Sequence, residues 1–273
     1  MTPVIGFIGG GNMASSLMGG LIARGQPADS VIVADPIADA RARVAREYGV
    51  RATADNIEVT SAANVLILAV KPQDMRTVCQ AAAPSVKTQA PLVISVAAGI
   101  PAGAISGWLG GIPVVRTMPN RPALHGCGVT ALYAMPGVKP DARTLAEEIM
   151  SAAGATVWVE QEKHLDAVTA ISGSGPAYFF LLIEMLEQAG RSFGLSESVS
   201  HRLAVETAYG SGLMARDAEE TPAVLREQVT SKGGTTEAAL KVLEAREVRA
   251  IFAQALAAAE NRSAELAKTF GGQ

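Results

Sequence analysis

Hydrophobic positions along the chain follow two patterns, and one replaces the other near residue 160. Before that point, short runs rich in β-branched residues alternate with segments of helical spacing, such as Ala38–Tyr48 and Pro72–Ala83. Short strands alternating with helices are typical of βαβ units and a parallel sheet. The candidate strands are Val4–Ile8, Val31–Asp35, Val65–Val70, Leu92–Ala97, Val114–Met118, Gly128–Tyr133 and Thr156–Val159.

After Glu160 the strand pattern stops and helical spacing takes over. Ser174 before Pro176 predicts a helix N-cap followed by an early-helix proline, and Gly194 predicts the C-terminal cap. Apolar residues surround this helix on almost every side, which is typical of a helix buried against other protein, such as a second copy of the chain. Further helices are predicted to begin at Thr221-Pro222 and near Val248.

These patterns predict an α/β protein with two domains. An N-terminal Rossmann-type parallel-sheet domain is expected over residues 1–160 and an all-helical domain over 161–273. We expect the helical part to bind the substrate and to form a homodimer or a larger assembly of dimers.

Composition narrows the class of protein. The net charge of -3 disfavours binding to nucleic acid or to a membrane surface. Cys79 and Cys127 lack metal-type spacing, so we expect no metal and a reducing, cytoplasmic location. The first strand-like run begins at Pro3, which leaves no room for a signal peptide, and the longest purely apolar run, Val65–Val70, is too short to cross a bilayer.

A glycine loop joins the first strand to the first helix. Gly9, Gly11 and Ala14 match the pattern G-x-G-x-x-G/A. The first glycine permits a tight turn, the second lets the backbone approach a pyrophosphate, and the small third residue permits close packing. With a strand before the loop and Asp35 at the end of the next strand, the pattern predicts a nicotinamide dinucleotide site.

The choice between NADH and NADPH is open at this stage. A carboxylate at Asp35 would hold the adenosine ribose and repel a 2′-phosphate. Arg41 and Arg43 follow closely, and they would either bind such a phosphate or lie on a solvated helix face.

A second glycine loop, Val229–Glu237, lies between two predicted helices. Gly233 and Gly234 allow an unusual backbone path, hydroxyl residues flank them, and a helix begins near Thr235 or Thr236. Amide groups at a helix start together with hydroxyls favour a small carboxylate as the ligand. The alternative is an ordinary capped turn between helices.

The chain resembles the Δ1-pyrroline-5-carboxylate reductase family over nearly its whole length. The matching motifs are GFIGGGNMA at Gly6–Ala14, AVKPQ at Ala69–Gln73, VRTMPN at Val115–Asn120, SGSGPAYFF at Ser172–Phe180 and VTSKGGTTEAAL at Val229–Leu240. The resemblance implies hydride transfer from NADPH or NADH to a cyclic imine, which yields L-proline in the last step of its biosynthesis. One departure is Arg121, which stands where the family commonly has threonine.

The resemblance also implies the site residues. Gly9, Gly11, Asn12 and Met13 would hold the pyrophosphate, Asp35 and Asn56 would lie beside the adenosine ribose, and Ala69, Lys71, Pro72, Ala97 and Asn120 would line the nicotinamide end. Ser231, Gly233, Gly234 and Thr235 would bind the substrate carboxylate, and Thr236 would hydrogen-bond the ring nitrogen as the catalytic residue.

Two other readings are open from the sequence. A β-hydroxyacid dehydrogenase has a similar first domain, but its catalytic lysine would fall at Phe179 here, and an alcohol substrate needs such a group. A related imine reductase stays within the same chemistry. A dinucleotide-sensing scaffold would bind NAD(P)H without turnover and would give the second glycine loop no role.

Overall fold

The computed structural model describes residues 2–272 and contains one sheet of eight strands over that range, in the order β3-β2-β1-β4-β5-β6-β7-β8. Three-residue β3 is the strand that the sequence analysis missed, because its polar arginine and partly exposed residues carry no apolar run. The strands are β1 Ile5–Ile8, β2 Val31–Ala34, β3 Arg51–Thr53, β4 Val65–Leu68, β5 Leu92–Ser95, β6 Val114–Met118, β7 Gly128–Ala134 and β8 Gly154–Trp158.

The helices alternate with the strands up to β8 and follow one another after it. Both predicted examples are present, although the second continues past Pro84 to Gln89. The helices are α1 Asn12–Ala23, α2 Ala38–Tyr48, α3 Asn56–Ala62, α4 Pro72–Gln89, α5 Ala102–Trp108, α6 Pro140–Ser151, α7 His164–Val168, α8 Gly175–Ser192, α9 Glu197–Asp217, α10 Pro222–Gln228, α11 Thr235–Ala245 and α12 Val248–Gly271.

The sheet is parallel from β3 to β6, as predicted, and its one antiparallel pair is β6 with β7. The connection between these two strands holds only a 3-10 segment, Arg121–His125. A parallel pair needs a longer crossover connection, so the chain reverses direction here. The Rossmann-type expectation is confirmed with this one modification.

Both faces of the sheet are buried. Phe7 and Ile67 belong to one hydrophobic cluster, whereas Ile8, Leu66 and Leu68 belong to another. Successive side chains of a strand point to opposite faces, so the two clusters lie on the two sides of the sheet. Burial of β4 on both sides confirms the interpretation of its apolar run.

The chain divides into two compact units. The first runs to Ser174 and includes the chain from Ala259 onward, and the second is Gly175–Ala258. Within the first unit, Ser263 Oγ on α12 donates to Asp166 Oδ1 at 2.7 Å, and Phe270 packs against a sheet cluster. The expected limits at 160 and 161 stay a prediction.

The predicted N-cap at Ser174 is wrong. Ser174 has helical dihedral angles, and its amide donates to the carbonyl of Thr169 at 2.8 Å in a π-turn over Thr169–Gly173. Pro176, inside a helix, has no N–H and its ring collides with the carbonyl four residues earlier. The wider π-turn makes room for the ring, so α8 continues from helical residues before it instead of starting at a capped end. The other predicted caps, Thr221 and Gly194, are confirmed.

The helical segment His164–Ser192 is long and apolar enough to cross a membrane, judged by length and composition alone. Its most apolar stretch of 18 residues has a mean hydropathy of 1.2, and 11% of that stretch is buried. Uninterrupted apolar runs alone do not indicate this segment, because polar residues divide it. Within one chain the segment exposes Phe179, Phe180 and Met185 rather than burying them. Absence of membrane binding stays a prediction.

Candidate active site

The loop after β1 requires glycine at its first position. Gly9 has a φ of 100°, which L side chains rarely adopt, and a Cβ there would lie 2.5 Å from the carbonyl oxygen of Ala69. Its amide donates to the carbonyl of Ala34 at 2.7 Å. The tight turn predicted for Gly9 is therefore present, and neighbouring strands enforce it.

Gly11, by contrast, is not required by the protein itself. It is the N-cap of α1 with an ordinary φ of -72°, no side chain caps it, and a Cβ there would meet no atom within 4 Å. The first amides of α1, at Asn12 and Met13, thus lie at an uncapped helix start, next to a residue that has no side chain. A pyrophosphate suits such a place, since it accepts amide hydrogen bonds and is attracted by the positive end of the helix dipole.

Two side chains of opposite charge hold the middle of this loop. Buried Asp35 accepts a hydrogen bond from the amide of Gly10 through Oδ2 and one from Ile37 through Oδ1, both at 2.8 Å. Arg43 donates to the carbonyl of Gly10 at 2.7 Å and to Ser15 Oγ at 3.1 Å. The sequence pattern indicates both side chains only as cofactor ligands or surface groups, because it does not show which backbone groups they reach.

Arg41 is engaged in a similar way. Its Nη1 donates to the carbonyls of Asp35 and Pro36 at 2.8 and 3.0 Å. Both arginines therefore bind backbone carbonyls near the predicted adenosine end, and the choice between NADH and NADPH stays open. The predicted contact of Asp35 with the ribose is not tested by this geometry.

The other predicted cofactor residues follow the carboxyl ends of neighbouring parallel strands, which meet at one edge of the sheet. This edge beside β1, where the strand order reverses, is the usual ligand crevice of such folds. Asn120 accepts a hydrogen bond from the amide of Val129 at 2.9 Å, so its side-chain NH₂ is left to donate. The residues at this edge are Asn56 on α3, Ala69, Lys71 and Pro72 after β4, Ala97 after β5 and Asn120 after β6.

The second glycine loop leads into α11. Gly233 has a φ of 75°, and the amide of Gly234 donates to the carbonyl of Ser231 at 3.0 Å, which closes a tight turn. The amide of Gly233 donates to Glu237 Oε2 at 2.7 Å. Both glycine amides are thus engaged within the loop, whereas no side chain caps the helix start at Gly234.

The residues of this loop that are predicted to bind the substrate carboxylate therefore differ in how accessible they are to a ligand. Ser231 and Thr235 are exposed, and Thr236 is half-buried in the first turn of α11. Sequence reasoning missed Glu237, although the separation of Gly233 and Glu237 by one helical turn suits a capping contact. Binding of a substrate by these residues stays a prediction.

Titratable groups outside the two loops are poorly suited to act as nucleophiles or metal ligands. Burial raises the pKa of the Cys79 thiol to about 12, which makes it a poor nucleophile at neutral pH. His201 pairs with Glu187 at 2.8 Å and is mostly exposed. Over residues 2–272, no cluster of three His, Cys, Asp or Glu side chains suits a metal. The expected absence of a metal stays a prediction.

Two protein families match separate parts of the chain. The family described as pyrroline-5-carboxylate reductase dimerisation matches residues 162–266, and the one described as NADP oxidoreductase, coenzyme F420-dependent, matches residues 4–99. A pyrroline-5-carboxylate reductase of Pseudomonas aeruginosa is 48% identical, with 99% of each chain covered. The chain belongs to the pyrroline-5-carboxylate reductase family. The resemblance stated from five motifs is thereby confirmed.

Solved structures of the pyrroline-5-carboxylate reductase family agree with the fold. The enzyme from Coxiella burnetii has a TM-score of 0.94 at 41% identity, covering 98% of this chain and 100% of its own. The Plasmodium falciparum enzyme, solved with NADP bound, has a TM-score of 0.85 at 27% identity and covers 97% and 98%.

Proposed function

We propose that the protein reduces the C=N bond of Δ1-pyrroline-5-carboxylate with NADPH or NADH and releases L-proline. The observation that carries this proposal is the pairing, in a chain of this family, of two uncapped helix starts that each follow a glycine loop. One suits a pyrophosphate and the other suits a small carboxylate. The bound nicotinamide cofactor supplies the hydride.

The cofactor would lie along the carboxyl edge of the sheet. Gly9, Gly11, Asn12 and Met13 would hold the pyrophosphate, and Asp35 and Asn56 would lie beside the adenosine ribose. Ala69, Lys71, Pro72, Ala97 and Asn120 would line the nicotinamide end. The uncapped amides of α1 and the absent Cβ at Gly11 support this assignment.

The substrate would be held by the second loop, with Ser231, Gly233, Gly234 and Thr235 around its carboxylate. An imine nitrogen is basic enough to be substantially protonated near neutral pH, so the carbon that would accept the hydride belongs to a cation that already carries its proton. Positioning then supplies much of the rate enhancement. A hydroxyl at Thr236 is sufficient as hydrogen-bond partner or proton relay to that nitrogen.

The decisive experiment follows absorbance of the reduced nicotinamide after pyrroline-5-carboxylate is added. We expect substrate-dependent oxidation with at least one of NADH and NADPH. The ratio of kcat/KM for the two cofactors then decides whether Asp35 or the nearby arginines dominate at the adenosine ribose. Binding of both cofactors without turnover would refute the proposal and favour a sensing scaffold.

Replacing Thr236 tests its proposed role. Thr236→Ala is expected to lower kcat/KM for the imine about a hundredfold, because the partner of the ring nitrogen is lost, while the Kd for NADPH stays within about twofold. Thr236→Ser keeps the hydroxyl and should retain most activity. Steady-state kinetics and a fluorescence titration of the cofactor measure both quantities, and an unchanged kcat/KM in the alanine variant would rule out the role.

We also propose that the protein works in the cytoplasm as a homodimer formed through its helical part. The dimerisation family match over residues 162–266 supports the assembly. Over the described residues both cysteines are free, Cys79 buried and Cys127 exposed, which suits a reducing compartment.

A further inference from the structure

Glu237 lies in the first turn of α11 and reaches back to the loop before it. Its Oε2 accepts the amide hydrogen of Gly233 at 2.7 Å, and its Oε1 lies 3.4 Å from Nζ of Lys241, one turn further along the helix. The side chain is 32% exposed, so the hydrogen bond is partly shielded from water. A charge-assisted bond of this length is among the stronger ones in proteins.

This contact stabilises a backbone conformation that needs support. Gly233 has a left-handed φ of 75° and precedes Gly234, so two residues of the most flexible type stand next to each other. The amide of Gly234 is already used by the turn to Ser231. Without an acceptor for the Gly233 amide, the two glycines would keep the turn bond from Gly234 to Ser231 but lose the contact with Glu237, and their backbone would sample more conformations.

The contact also determines which backbone amides of the loop are available to a ligand. With Gly233 and Gly234 engaged internally, the donors left for a bound carboxylate are those at the uncapped start of α11, at Thr235 and Thr236. The carboxylate of Glu237 would repel a second anion, but Lys241 beside it offsets part of that charge.

We infer that Glu237 is a positioning residue for the substrate carboxylate. By accepting the Gly233 amide, it holds the loop in the form in which the carboxylate meets the amides of Thr235 and Thr236 and the hydroxyl of Ser231. This inference rests on the proposed imine reductase function. It assigns Gly233 a conformational role, with its amide reserved for Glu237 instead of the substrate.

Steady-state kinetics on the full-length protein provide the first test. Glu237→Ala should raise the KM for pyrroline-5-carboxylate about tenfold, with kcat and the KM for the nicotinamide cofactor unchanged. Glu237→Gln keeps a side-chain carbonyl that can accept the amide hydrogen, so its KM should stay within about threefold of the wild type. Glu244→Ala is the matched control, because Glu244 lies on the same helix but pairs with Arg249 at 2.8 Å.

Amide hydrogen exchange on the free protein provides a second test that needs no substrate. The Gly233 amide should exchange slowly in the wild type and in Glu237→Gln, and at least tenfold faster in Glu237→Ala. Should the alanine variant fail to fold, the exchange rate of Gly233 in the wild type and the kinetics of the glutamine variant still decide the matter.

The outcomes separate the two proposals. An active wild type with the same imine KM in Glu237→Ala, or a Gly233 amide that exchanges as fast as exposed loop amides, overturns the role of Glu237 alone. A glutamine variant as impaired as the alanine variant overturns it as well, since an acceptor at that place would then not suffice. An inactive wild type overturns the proposed function.

Discussion

At the scale of single residues, the structure distinguishes glycines that the sequence pattern treats alike. Gly9 is required by the protein, because of its positive φ and the carbonyl of Ala69 beside it. Gly11 has ordinary geometry and open space around its Cα. Both positions were predicted from the motif, but only the fold shows that the backbone requires glycine at the first and leaves open space at the second.

Alanine at each of these positions should therefore act differently. Gly9→Ala is expected to lower the free energy of unfolding by about 3 kcal/mol through backbone strain and collision with Ala69. Gly11→Ala should change it by less than about 1 kcal/mol while raising the KM for the nicotinamide cofactor about tenfold, because the methyl group stands where the pyrophosphate would approach. Urea unfolding and kinetics measure the pair, and equal destabilisation by both changes would contradict this account.

The two cysteines should also behave differently. Burial raises the pKa of Cys79 from an ordinary 9.0 to about 12, whereas Cys127 is exposed. An aromatic disulfide reagent at pH 8 should label one thiol per folded chain rapidly and the second only on unfolding. Because the folded pKa of Cys79 is the higher one, its contribution to stability is complete below pH 9 and is lost as pH rises toward 12. Rapid labelling of both thiols at pH 8 would contradict the burial of Cys79.

At the scale of secondary structure, sequence periodicity predicts most elements and misses those that depend on neighbours. Strand β3 is bounded and held by its pairing with β2, in the register Ile32 with Arg51, and has no apolar run of its own. A serine before a proline favours a cap locally, so the sequence predicts a capped helix start at Ser174, where the structure has a π-turn. In the fold the preceding residues are helical already, so the proline distorts the helix instead.

A partly buried ion pair joins β6 to the segment that leads into α7. Arg116, 4% exposed, donates to Glu162 Oε1 at 2.9 Å, and the same oxygen accepts the amide of Ala102 at the start of α5 at 2.6 Å. Sequence spacing does not indicate this contact, since the partners are far apart along the chain. The pair connects three elements of the first unit through one carboxylate.

Removing this carboxylate should be costly. Glu162→Ala leaves a buried guanidinium and a helix amide without their partner, and we expect a loss of about 3 kcal/mol in the free energy of unfolding. Glu58→Ala is the control, because it breaks the exposed Arg51–Glu58 pair and should cost less than about 1 kcal/mol. Thermal or urea unfolding compares the two variants, and similar losses in both would show that burial of the pair is unimportant.

At the scale of the whole molecule, the helical part leaves large apolar side chains exposed. Phe179, Phe180 and Met185 on α8 are half exposed or more, at 65%, 63% and 50%. Contiguous apolar surface of this kind marks an interface with protein or with lipid. The family match to a dimerisation domain supports a protein partner, and a second copy of the chain is the proposed one.

Sedimentation tests that proposal. The wild type should be a dimer or larger at micromolar concentration, and Phe180→Glu should shift it toward monomer, because a charge buried at an interface is strongly unfavourable. Val157→Glu is the matched control, since Val157 is 48% exposed on β8, in the sheet-containing unit, and the change should leave the assembly intact. A monomeric wild type, or one that partitions into lipid vesicles instead of self-associating, would contradict a homodimer.

Sequence alone was sufficient for every strand except β3, both glycine loops, the change of pattern near residue 160 and the family, because periodicity and turn chemistry are properties of neighbouring residues. Tertiary structure decided which groups meet: Gly10 with Asp35 and Arg43, and Arg116 with Glu162 and Ala102. It also decided that the Gly233 amide is held by Glu237. Such contacts depend on strand register, helix direction and the path of loops, which side-chain patterns along one segment do not specify.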